Sequence, residues 1–61
     1  MDERMQLFEF ALKCHQAGFS KHKFAETLRL LNYLTKIDGS DIPSSEGKLL
    51  LDYFNFIGFV Q

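Results

Sequence analysis

An all-α fold of three helices, expected to assemble as a dimer, is what this sequence predicts. Three observations carry that expectation. Apolar residues recur at steps of three and four through most of the chain. Glycine and serine mark helix ends and starts at Gly18–Ser20 and again around Ser44 and Ser45. Each helical stretch is also apolar over more of its circumference than one small core can cover.

The 61 residues form one expected domain, 1–61, with 46% apolar residues, seven phenylalanines, one proline and four glycines. This is a folding composition rather than a disordered one. Ordering a chain costs about 1.5 kcal/mol per residue, which nearly cancels the burial gain in a domain this small. Small domains therefore lean on disulfides, metals or oligomerisation. Cys14 is the sole cysteine and has no internal partner for a disulfide. The lone thiol, and an acidic start "MDERMQLFEF" where a secretory signal has a basic one, point to a cytoplasmic setting. No apolar run approaches the roughly 18 residues of a membrane span.

The first helix is expected over 2–17. Asp2, Gln6, Glu9, Lys13 and Gln16 make one polar stripe, and Glu9 and Lys13 have the favourable i,i+4 order. Met5, Leu7, Phe8, Phe10, Ala11, Leu12 and Cys14 fill most of the remaining circumference. Gly18 then ends the helix.

The second helix is expected over 20–36, starting in "GFSKHKFAET". Ser20 caps it, and Phe19 and Phe24 have the spacing of a hydrophobic staple. Lys21 and Lys23 fall at the positive end of the helix dipole, a penalty of about 0.3–1 kcal/mol that a cap of about 1 kcal/mol offsets. Two readings stand side by side. The lysines are tolerated and solvated, or they join His22 and the free amides in an anion site. Further on, Phe24, Leu28 and Leu31 form one apolar ridge, and Leu30, Leu34 and Ile37 another. His22, Arg29 and Lys36, each seven residues apart, form a basic line beside Tyr33. Such a line suits nucleic-acid phosphates, although it is more often a solvated face.

"IDGSDIPSSEG" is turn chemistry, and the spacing of Asp38, Asp41 and Glu46 does not match a calcium loop. Ser44 or Ser45 caps a third helix expected over 45–57. Lys48, Asp52 and Asn55 give it a narrow polar stripe, and Gly58 is expected to stop it. In a rival reading "YFNFIGFV" is a strand, because aromatic and β-branched residues favour one.

Little in the sequence supports catalysis. Cys14 and His15 are neighbours pointing about 100° apart on a helix, without metal-ligand spacing nearby. Cys14 reads as a small buried hydrophobe and His15 as a packed or interface histidine. The serines lie in caps and turns with no paired base. No metal, no cofactor and no enzymatic activity are expected.

The segment "SSEGKLLLDYFNFIGFV" is similar to the third helix of a winged helix-turn-helix domain running into its first wing strand, which implies that Ser45 and Lys48 approach DNA. "AGFSKHKFAETL" resembles the first loop and second helix of ubiquitin-associated domains, which implies a partner received at Gly18 and Phe19. The residues themselves favour a protein-interaction module, regulator or adaptor, that forms a homodimer and binds a further protein. Its candidate partner-binding residues are Phe8, Phe10, Tyr53, Phe54, Phe56 and Phe59. The alternative is a compact DNA-binding regulator with contacts from Lys21, His22, Lys23, Arg29 and Lys36, against which the net charge of −1 counts.

Overall fold

Asp2 starts the first helix, because its carboxylate accepts the Arg4 amide at 3.1 Å. The computed structural model describes residues 2–61. Helix α1 spans Glu3–Gln16. It closes where Gly18 takes a φ of +85°, a conformation glycine adopts without a Cβ penalty. The Gly18 amide then donates to the His15 carbonyl and the Phe19 amide to that of Cys14, both at 3.0 Å. This pair of bonds satisfies carbonyls that would otherwise be left open.

Ser20 caps α2, Lys21–Leu30, by accepting the Lys23 amide at 3.1 Å. Here the structure corrects the expected helix over 20–36. Asn32 turns the chain at φ +66°, with the Asn32 amide on the Arg29 carbonyl and the Tyr33 amide on that of Leu28. Asparagine is the residue after glycine that best tolerates this position. The chain continues as strand β1, Leu34–Ile37, and returns as β2, Ser40–Pro43. Asp38 and Gly39 form the two-residue turn between them, with φ of 51° and 81°. Two successive positive φ angles match the right-handed twist of a tight hairpin. The fold is therefore three helices with an antiparallel hairpin, not purely all-α.

Register assigns the hairpin's faces, because residues directly opposite one another share a side. Leu34 opposes Pro43 and Lys36 opposes Asp41 on one face; Thr35 opposes Ile42 and Ile37 opposes Ser40 on the other. Leu34 is buried, and Asp41 on the same face meets Arg29 of α2 at 3.3 Å. That is the inner face. Ile37 and Ile42 lie exposed on the outer one. The apolar ridge expected from Leu30, Leu34 and Ile37 does not form, since Leu30 ends α2 while Leu34 and Ile37 lie on opposite faces of β1.

Of the two serines, Ser44 caps α3, Ser45–Val60, accepting the Gly47 amide at 3.1 Å. Gly58 does not stop this helix, and no strand forms over 53–60. The helix ends at Val60, three residues beyond the expected end at 57, because Gly58 keeps a negative φ and Gln61 still donates to the Ile57 carbonyl. A glycine costs a helix interior only about 1 kcal/mol relative to alanine.

The core lies between the helices. Leu7, Ala11 and Cys14 of α1 and Leu50, Phe54 and Ile57 of α3 occupy the same i, i+4, i+7 spacing and are buried with Phe24, Leu28 and Leu34. Phe24 stacks on Phe54 with centroids 4.3 Å apart and planes 9° from parallel. His15 sets its ring edge against Phe54. Gly47 is buried because the Tyr33 carbonyl runs against it, and the Ser44 amide donates to that carbonyl at 2.9 Å. One backbone oxygen thus fastens the start of α3 to the turn after α2.

Candidate interaction face

Helices α1 and α3 lie side by side with their starting ends together, as Asp2, Glu3 and Leu7 share a cleft with Ser45, Glu46 and Leu49. Their core stripes leave a second stripe on each helix. On α1 it is Met5, Phe8 and Leu12; on α3 it is Tyr53, Phe56 and Val60. Both have the spacing i, i+3, i+7 that keeps residues on one side of a helix. The stripes meet where Phe8 and Tyr53 pack edge to face, 5.4 Å between centroids. There they form an open groove of about 410 Å³ lined by Arg4, Met5, Phe8, Glu9, Leu12 and Tyr53.

The apolar content of this side is high. Met5 is 59% exposed and Phe56 57%. Single exposed apolar residues are ordinary, but a contiguous set marks an interaction surface or an aggregation liability. The total accessible surface is 4450 Å². A folded monomer of 7.1 kDa is expected to expose about 4,100 Å². Leu30 and Leu31 near the end of α2, and Ile37 and Ile42 on the outer hairpin face, are exposed as well.

The six expected partner-binding aromatics divide into four groups. Phe56 and Phe59 are exposed. Phe8 and Tyr53 are half-buried, with Phe8 and Tyr53 lining the groove. Phe10 is half-buried on the other side of α1, against Phe24 and a cleft shared with Leu31 and Tyr33. Phe54 is a correction: it is 6% exposed and belongs to the core. The α3 core runs through Leu50, Phe54 and Ile57, so Phe54 turns inward when Tyr53 and Phe56 do not. Met5 and Leu12 complete the groove. Their spacing to Phe8 was the available signal, but the wide apolar surface of α1 concealed which of its stripes faced inward.

The basic candidates are dispersed. Lys21, His22 and Lys23 are exposed on the first turn of α2. His22 lies 3.1 Å from Glu26, and the Lys23 ammonium stands 5.5 Å from the centre of the Phe19 ring. Arg29 is paired with Asp41. Lys36 lies on β1, so the straight basic line expected from His22, Arg29 and Lys36 is broken by the end of α2 at Leu30. If the two lysines are merely tolerated, Lys21→Glu with Lys23→Glu raises stability, by about 0.3–1 kcal/mol for each dipole effect, offset in part by loss of the contact with Phe19. A thermal melt of the double variant reads this directly; a fall in melting temperature counts against it.

Cys14 is buried, and burial pushes its thiol pKa up, away from the reactive thiolate. Among the described residues, no three His, Cys, Asp or Glu side chains gather in a metal-binding group. No helix of the described residues is long and apolar enough to cross a membrane. No family model, curated protein or solved structure matches the chain.

Proposed function

We propose that this chain is a non-enzymatic protein–protein interaction module, a regulator or adaptor of a reducing compartment such as the cytoplasm. The observation that carries the reading is the apolar groove of Met5, Phe8, Leu12 and Tyr53, with exposed Phe56 one helical turn beyond Tyr53. Aromatic residues are the usual anchors of protein interfaces, and the charged residues around them act as a rim that sets specificity. The chain works by burying this side against a protein. Phe56→Glu tests it. The variant is expected to keep a helical spectrum and to lose both self-association, read by light scattering at micromolar concentration, and binding of a hydrophobic dye. Unchanged dye binding and unchanged mass overturn the assignment of the face.

A second reading is DNA binding. Its support is the order α1, a short glycine-containing turn, α2, and then a hairpin, an order compatible with a helix-turn-helix followed by a wing. In that reading the exposed start of α2, with Lys21, His22 and Lys23, approaches the major groove and Lys36 of the hairpin contacts phosphate. This differs from the resemblance over 44–60, which needed a strand after the third helix. The Arg29–Asp41 pair reduces the free positive charge. Strongly salt-dependent binding to a nonspecific duplex favours this second reading.

A further inference from the structure

We infer that the α1/α3 groove is filled by a second copy of this chain, with Arg4 of each copy on Glu9 of the other across a two-fold axis. The inference rests on the interaction-face reading above and names its occupant. Arg4 and Glu9 line the same apolar groove and carry opposite charges. Five residues apart on a helix, they are separated by about 140° and about 7.5 Å of rise, so they flank the groove floor rather than meet. Neither side chain has an ion-pair partner among the described residues. The Glu9–Lys13 pair that their spacing favours is not formed.

A groove bearing one charge of each sign is poorly matched to a uniformly acidic or basic partner, which repels one of the two. A second copy presents both. In an isologous contact, if residue i touches residue j then j touches i. A two-fold axis in the plane of the face, bisecting the line from Arg4 to Glu9, brings each charge onto its opposite in the partner. The symmetry makes the pair twice. Met5 and Phe8 lie between the two charges in sequence and fall near that axis, so the apolar floor of one copy covers that of the other. A standard interface removes about 800 Å² from each partner, less than a fifth of the surface available here.

The test is a charge-swap series measured by sedimentation equilibrium on the full chain. The wild type is expected to be a dimer at micromolar concentration. Arg4→Glu and Glu9→Arg are each expected to weaken it by about tenfold, because each variant sets like charges together at two symmetric places. Combining Arg4→Glu with Glu9→Arg restores opposite charges and is expected to regain the wild-type constant. Helical spectra of all four chains show that they fold. A dimer indifferent to every swap, or two weakened single variants with no recovery in the double, overturns the proposed pairing. A monomeric wild type overturns the second copy as occupant. If that monomer still binds a hydrophobic dye and loses it in Phe56→Glu, the interaction-face reading survives alone; without dye binding, both fall.

Discussion

Phe54→Ala is expected to unfold this domain. The Phe54 ring is buried between the Phe24 face, 4.3 Å away, and the His15 edge, and it joins all three helices. Truncating a buried phenylalanine costs about 3–5 kcal/mol through lost transfer energy and the cavity left behind. A core of this size supplies no more than about 3–5 kcal/mol of net stability. The variant should show no cooperative thermal transition and a weakened helical spectrum. Phe56→Ala is the matched comparison two residues away. At concentrations below association it should shift stability by less than about 0.5 kcal/mol, as surface changes usually do. A Phe54→Ala chain that melts like the wild type refutes the inward placement of this ring.

Gly47→Ala is expected to destabilise the fold by about 2–3 kcal/mol, at the upper end of overpacking costs. For a domain of this size that lowers the melting temperature by roughly 10–20 °C. The sign is contrary to helix propensity, which favours alanine over glycine by about 0.5–1 kcal/mol. The reason is local. A Cβ at position 47 would overlap the Tyr33 carbonyl oxygen and lie 3.1 Å from its carbon. That oxygen is backbone, already holding the Ser44 amide, and has no flexible side chain to swing aside. Gly58 supplies the opposite case in the same helix. Nothing lies within 4 Å of a Cβ there, so Gly58→Ala should stabilise by about 0.5–1 kcal/mol. Equal responses at the two glycines would contradict the contact between α3 and the turn after α2.

The helix starts were readable because their signals are local. Ser20 and the Ser44–Ser45 pair announced caps, and each cap needs only an amide two or three residues along. Gly18 was readable for the same reason. The hairpin also carried a local signal, Asp38-Gly39 between Thr35, Ile37 and Ile42, which is a strong turn sequence for two-residue hairpins. Leucines and a lysine at helical spacing obscure it, and Asn32, which can adopt the positive φ of a helix stop, sits inside that helical pattern. The candidate site was readable in composition but not in detail. Phe8, Tyr53 and Phe56 stand out as apolar surplus, while nothing in their types separates them from Phe54.

Three helical segments, their caps and the excess of apolar side chains follow from the order of residues alone, because propensity, capping and periodicity act over a few residues. Long-range packing selects which apolar stripe of α1 and α3 turns inward, excludes a side chain at Gly47, and sets Arg4 and Glu9 along one groove. On helices this apolar, several faces satisfy the periodic pattern equally well. The choice among them comes from packing against Phe24, Leu28 and the Tyr33 backbone, contacts that join residues distant in the chain.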